Sequence, residues 1–359
     1  MALTVRQTAD LRWVRADEWL RADADGGSAA YRPTVVDLDT VTDASATDVA
    51  HAAAVLGARA GVAVGVTRAP ARVPPRLLDA LTLTLAPSDP AGRPVDRRIV
   101  ASDDVDSALA RIESAVLGNP HASTVLDQVL RTGAGLPVPD GLRVESFAYS
   151  TLLGGPEFAE WLDGRGPKSV AAPRDDLVLV ERSGDTLRIT LDHPARRNAF
   201  SAALRDALVD ALDLAAADHS LRRVELWGNG PAFCSGGDLA EFGTATDPVR
   251  AHLVRTGRSA AARLAELSAR VHVLLHGPCV GAGIELPSFA AHVVAAPDTR
   301  IRLPEIRMGL IPGAGGTVGI ARRIGRWRTA YLALTGIAIG AQLALEWGLV
   351  DEIRAAEGS

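Results

Sequence analysis

Two glutamates and two glycine-rich loops carry the residue types and the order that could do chemistry in this 359-residue chain. Glu285 stands between Ile284 and Leu286-Pro-Ser-Phe289, an apolar stretch in which an unpaired charge is costly. Glu305 follows Arg302-Leu-Pro304 and precedes the run Gly309-Leu-Ile-Pro-Gly-Ala-Gly-Gly316. Taken singly, a buried glutamate is either half of an ion pair or functional. Glu305 by itself reads as a first-turn helix carboxylate favoured by the dipole. The loops are Ala232-Phe-Cys-Ser-Gly-Gly-Asp-Leu239 and His276-Gly-Pro-Cys-Val-Gly-Ala-Gly-Ile-Glu-Leu286. Tight turns at a helix start aim backbone amides, and the positive end of the dipole, at an anionic oxygen. Such amides next to positioned carboxylates suit a reaction through an enolate, whose oxygen needs donors and whose carbon needs a proton moved. Any one glycine-rich turn is a weak signal, because structural turns far outnumber oxyanion sites.

The elements that must position these residues read as an α/β arrangement. A hairpin is expected at Leu177–Arg182 and Thr186–Leu191 around Ser183-Gly184-Asp185. A helix capped by Ser201 should cover 201–217, and a short buried strand Val224–Trp227 leads into the first loop. One helix over Arg250–Ala269, a strand Val271–Leu275, a helix near Ile284–Ala291 and a strand Val293–Ala296 complete this part. Before it, the punctuated stretch 164–174 marks a linker. The expected division is a lead-in over 1–33, partly mobile, an α/β and helical region over 34–168, a linker over 169–175, and a second domain over 176–359. In the first region Thr34–Leu38, Gly61–Thr67 and Leu81–Leu85 look like strands. Helical patterns lie near 46–59 and 105–117, then at Ala122–Arg131, Gly141–Leu153 and Pro156–Asp163.

The bulk numbers exclude several classes. A net charge of −5 argues against a nucleic-acid partner. Two cysteines, Cys234 and Cys279, can form neither a disulfide framework nor a structural zinc site, and they read as packing residues. The eight histidines show no metal-ligand spacing. The longest apolar stretch, 271–297, contains His272, His276, Pro278, Glu285 and His292, which fits a buried strand–turn–helix better than a membrane span. The N-terminus lacks the apolar core of a signal peptide, so the expected location is cytoplasmic, with no membrane partner.

The order amide loop, amide loop, Glu285, Glu305 resembles the crotonase superfamily, the enoyl-CoA hydratase/isomerase family. His193-Pro-Ala-Arg-Arg-Asn-Ala-Phe200 resembles its first motif, and Ala232–Leu239 and Gly281–Glu285 resemble its two oxyanion loops. Leu303–Gly316 resembles the segment with the second glutamate, and the likeness continues through Leu332–Gly336 and Glu346–Val350, about half the chain. The resemblance implies a crotonase-type spiral of ββα repeats in the second half, acting on acyl-coenzyme A thioesters. It implies oxyanion donors at the amides of Gly237 and Ala282, catalytic Glu285 and Glu305, and substrate contacts from Arg197, Ala199, Asp238, Gly281 and Gly313. No metal or redox cofactor is implied, coenzyme A entering as part of the substrate, and the assembly expected is a homotrimer or a dimer of trimers. The leading activity is hydration of an enoyl-CoA. The alternatives are an isomerase, a thioester hydrolase, a cofactor-free aryl-acyl-CoA oxygenase and a non-catalytic acyl-CoA-binding protein.

The chain departs from the family pattern at three points, one being Ala240, which replaces a basic residue that often helps relatives hold the coenzyme A nucleotide. Ala282 stands where many relatives have glycine, and the sequence stops at Ser359 where relatives continue into helices that cover the site. Residues 119–165 loosely resemble that helical tail, so the first region reads either as a degenerate crotonase half or as an unrelated helical appendage. Its apolar residues, among them Leu126, Leu130, Phe147, Tyr149, Leu152 and Phe158, exceed what three helices can bury on themselves. The expectation is that they dock on the second half.

Overall fold

A computed structural model describes residues 33–41, 44–58, 61–89, 96–168 and 176–355, with the backbone of Val5–Gln7. Most of the expected lead-in, and the linker 169–175, lie outside the described residues. In the first half five parallel strands run in sequential order: β1 (Val5–Gln7), β2 (Thr34–Asp37), β3 (Ala63–Val66), β4 (Leu83–Pro87) and β5 (Ile99–Ser102). A parallel strand covered on both faces should be largely apolar on both, and β2 to β5 are. Val36, Ala63, Ala86 and Ile99 pack under α1 (Ala46–Gly57) and α2 (Pro75–Ala80). Their neighbours Val35, Val64, Leu85 and Val100 face the other way, into a core that continues to Val350. One apolar cluster therefore joins the two halves.

Four helices follow: α3 (Val105–Gly118), α4 (Pro120–Gly133), α5 (Val138–Leu153) and α6 (Pro156–Arg165). The expected docking is present. Leu126, Leu130, Leu152 and Phe158 are buried in the common core, whereas Phe147 is 59% exposed and stacks on His252 at 4.1 Å.

The second half opens with the hairpin β6 (Val178–Ser183) and β7 (Thr186–Leu191), antiparallel as expected. Next come α7 (Ala202–Ala217), with Ser201 accepting from the Leu204 amide at its start, and β8 (Arg223–Gly228). The single helix expected over 250–269 is instead two, α8 (Pro248–Gly257) and α9 (Ala260–Glu266). Gly257 weakens the first, and the Ser259 hydroxyl caps the second by accepting from the Ala262 amide. Then β9 (Val271–Leu275), β10 (Pro278–Val280), α10 (Ala282–Glu285), β11 (His292–Ala295) and β12 (Arg300–Arg302) follow. The helix expected over 284–291 is only the one turn of α10 and a 3₁₀ turn, because Pro287 cannot continue the amide ladder. The chain ends with α11 (Gly316–Thr335), β13 (Ile339–Gly340), α12 (Ala341–Trp347) and β14 (Glu352–Ile353).

These strands make two sheets. The large one runs β14-β11-β9-β8-β7-β6, and the small one runs β10-β12-β13. Successive strands alternate between them, β9 then β10, β11 then β12, each pair followed by a helical turn, which is the ββα winding expected. Helix α11 binds the halves together through polar contacts as well: the Trp327 indole Nε1 donates to the Leu78 carbonyl at 3.0 Å, and Arg326 Nη1 to the Leu81 carbonyl at 3.0 Å.

Candidate active site

Strand pairing brings the two glutamates together. β10 and β12 lie parallel with Val280 opposite Arg302, and the Gly281 amide donates to the Arg302 carbonyl at 3.0 Å. The chain leaves both strands at the same edge, so the turn into α10 and the turn into Glu305 sit side by side although 20 positions separate the glutamates. The first glycine-rich loop joins the same edge. The backbones of Cys234 and Cys279 pair in a single parallel β-bridge, and the Val280 amide donates to the Cys234 carbonyl at 3.0 Å, so residues 232–238 run beside β10. Asn198 fixes the loop from behind, its Nδ2 donating to the carbonyls of Asn229, Ala232 and Phe233.

The wiring leaves two amides without internal acceptors. The bridge between Phe200 and Gly237 takes the amides of Phe200 and Asp238 and leaves that of Gly237. Ala282 is the first residue of α10, so its amide has no acceptor within the helix. Gly237 and Ala282 line one cavity with Glu285, Glu305 and Gly313, a space of ≈ 1030 Å³.

The carboxylates converge over Gly281. A β-carbon there would lie 2.6 Å from Glu305 Oε1 and 3.6 Å from Glu285 Oε1, so a side chain would collide with the acid pair. Its φ of +50° also belongs to the region that favours glycine. Glu285 is buried, and its Oε2 accepts from the amides of Ala314 at 2.7 Å and Gly316 at 2.9 Å. Glu305 keeps Oε2 sealed from solvent without a partner. Burial pushes the Glu305 carboxyl up to about 8. Burial first, then the neighbouring Glu305 and Glu145, hold the Glu285 carboxyl well above the ordinary carboxylate range.

Glu145 and Tyr149, both on α5, are not site residues in the sequence reading, which expects Tyr149 only to dock on the second half, and the structure brings both into the cavity wall. Glu145 Oε1 accepts from the Gly315 amide at 2.7 Å, and Oε2 from the Thr317 amide at 2.9 Å and the Thr317 hydroxyl at 2.6 Å. Four successive amides thus alternate between Glu285 and Glu145. Burial outweighs these donors and raises Glu145 to about 7. The Tyr149 ring packs on Gly313, where a β-carbon would come within 2.3 Å of it. A signal existed: Glu145, Tyr149 and Leu152 share one helical face, and a charge in a buried stripe is what drew attention to Glu285.

The remaining expected residues are placed unequally. Asp238 lines the cavity, but its Oδ1 is engaged by Arg196 at 2.7 Å and by the Ala240 amide at 3.0 Å. Arg197 is exposed in a left-handed turn, φ +53°, and neither it nor Ala199 is part of the cavity wall, although Ala199 adjoins Phe200, which is. Both cysteines are buried with thiols raised, Cys234 to about 12, so neither is a thiolate near neutrality. Among the described residues no cluster of metal-ligating side chains occurs, and no helix is long and apolar enough to cross a membrane.

Comparison with known proteins gives a consistent set. The model of the enoyl-CoA hydratase/isomerase family matches residues 181–358. The 2,3-dehydroadipyl-CoA hydratase of Escherichia coli is 37% identical over 176 residues, which are 49% of this chain and 68% of that protein. The 1,2-epoxyphenylacetyl-CoA isomerase of the same organism is 31% identical, over 50% of this chain and 70% of that protein. A solved enoyl-CoA hydratase from Thermoplasma volcanium aligns at 34% identity and a TM-score of 0.47, over 50% of this chain and 72% of that one.

Proposed function

The chain belongs to the enoyl-CoA hydratase/isomerase family, and from that premise we propose that it hydrates a 2-enoyl-CoA, or dehydrates the corresponding 3-hydroxyacyl-CoA. The observation that carries this reading is the meeting of the buried Glu285 and the half-buried Glu305 over Gly281, beside two amides without internal acceptors. The amides of Gly237 and Ala282 hold the thioester oxygen and stabilise the enolate formed on it. Glu285 and Glu305 share one water: one takes its proton as it attacks the β-carbon, the other protonates the α-carbon. Burial and the proximity of two like charges oppose the loss of both protons, so one carboxyl can stay protonated as the acid while the other serves as the base. Gly281 leaves room for the acid pair and Gly313 for the Tyr149 ring, and in this reading Asp238, on the cavity wall, stands toward coenzyme A.

Replacement of Glu285 or Glu305 by glutamine tests the reading. Each should lower hydration turnover by a factor of ~10²–10⁴ while coenzyme A thioester binding persists. Full hydration by either variant would remove the two-glutamate scheme. Retention of double-bond migration without hydration would put an isomerase in its place.

A further inference from the structure

The proposed reaction leaves one charged group of the cavity wall unused. Arg255, on α8, lines the same cavity as Glu285 and Glu305. Its Nη1 donates to the Ser146 carbonyl at 3.2 Å, the Ser146 hydroxyl at 2.9 Å and the Ser150 hydroxyl at 3.1 Å. Its guanidinium lies 4.4 Å from the centre of the Tyr149 ring. Among the described residues Nε and Nη2 make no bond and no carboxylate lies within ion-pair reach of this arginine. Neither atom is a sealed, partnerless group, so that edge of the fork opens on the cavity. Other arginines of the wall are engaged: Arg143 by Asp140, Arg205 by Asp206, Arg258 by Asp206 and Asp210, and Arg263 by Asp213 and Glu266. Arg250 is exposed on the rim.

The position of Arg255 along the cavity follows from its neighbours. The Tyr149 ring packs on Gly313, next to the Ala314 amide that binds Glu285, and the Arg255 guanidinium lies against that same ring, so Tyr149 links the arginine to the acid pair. A planar fork held along one edge and open along Nε and Nη2 matches a bidentate carboxylate. We infer that Arg255 binds an anionic group at the far end of the acyl chain, so that the preferred substrate is the mono-coenzyme A thioester of an unsaturated dicarboxylic acid. This rests on the acyl-CoA reading of the site. A phosphate would also suit the fork, but the coenzyme A phosphates lie a whole pantetheine arm away from the thioester, while Arg255 lines the cavity that holds the acid pair and touches the Tyr149 ring packed on Gly313. An uncharged acyl chain would leave the open edge dehydrated and unpaired, and this gives the discrimination.

Calorimetry on the full chain tests the inference, with saturated coenzyme A thioesters of four to eight carbons, each with and without a terminal carboxylate. At the matching length the wild type should bind the carboxylate form about tenfold or more tightly. Arg255→Leu should level that ratio and Arg255→Lys should keep part of it. Equal affinities for every pair in the wild type, or an unchanged ratio in Arg255→Leu, would overturn the inference. Equal weakening by Arg255→Leu of both series and of free coenzyme A would overturn it in favour of a phosphate site. Should circular dichroism show a variant unfolded, the wild-type ratio decides. Because saturated thioesters cannot be hydrated, a carboxylate preference in a protein that hydrates nothing would remove the proposed reaction and leave this inference standing.

Discussion

Both halves of the chain wind parallel strands in sequential order, yet only the second half makes a site. In the first half β2, β3 and β4 are joined through α1 and α2, and each returns to the same sheet. In the second half the chain leaves the large sheet, lays a short strand into β10-β12-β13, and only then turns into a helix. That extra strand places the turns at Gly281 and Glu305 side by side. The first half has a polar group at a comparable strand end, Asp39, but its carboxylate is consumed by the Thr67 hydroxyl at 2.7 Å and the Arg68 amide at 3.0 Å, closing a turn. A parallel spiral is thus a scaffold, and the second sheet layer turns its strand ends into a reaction chamber. The first half contributes a wall instead, through Glu145 and Tyr149.

The most drastic way to break this comparison is to remove the wall. A chain beginning at Asp176 loses α4 and α5 from α11 and the partners of Gly315 and Thr317. It should aggregate or show no turnover, as sedimentation and a hydration assay would reveal. A soluble, fully active fragment would mean that the second half suffices.

A smaller change separates the roles of the carboxylates. Glu145→Gln can satisfy only one of the two amides with its single oxygen, leaving the other donor unpaired at a cost of about 1–3 kcal/mol. The segment holding Glu285 should loosen, with turnover down roughly tenfold and thioester affinity nearly unchanged. Glu305→Gln should instead raise stability at high pH. A carboxyl raised from 4.5 to about 8 favours the folded state when protonated, so its contribution is complete below 4.5 and is lost as pH rises through 8. The neutral amide escapes that loss. Melting temperatures of wild type and Glu305→Gln should agree at pH 4 and differ by about 2–4 °C per kcal/mol at pH 8.5. A constant difference across that range would contradict the burial argument.

The smallest effects sharpen the contrast from the silent side. Asp39→Asn, Cys234→Ala and Cys279→Ala should each leave turnover within about threefold, since none presents a reactive group to the cavity. Loss of activity in Asp39→Asn by orders of magnitude would reveal chemistry in the first half.

How far the sequence could be read depended on the range of the interaction. The hairpin around Gly184, the Ser201 cap and the amide loops are local, and their residues announced them. The break at Ser259 was missed because apolar spacing continues across it, and β12 because three residues show no period. Glu145 was missed since its partners, Gly315 and Thr317, lie across the chain. The expected contacts of Arg197 and Ala199 came from motif likeness, which carries no information on which way a turn presents its side chains.

The alternation of amides from Ala314 to Thr317 between Glu285 and Glu145 has a kinetic meaning. The bond between Glu145 and Gly315 spans 170 residues. Pairings that distant are slow to form, because the intervening chain must be ordered before they return any free energy. The second half can complete its hairpin and adjacent strands without them, but its reactive carboxylate is seated only when α5 arrives. During refolding, turnover would therefore be among the last properties recovered, and competence for reaction doubles as a report that the whole chain has assembled.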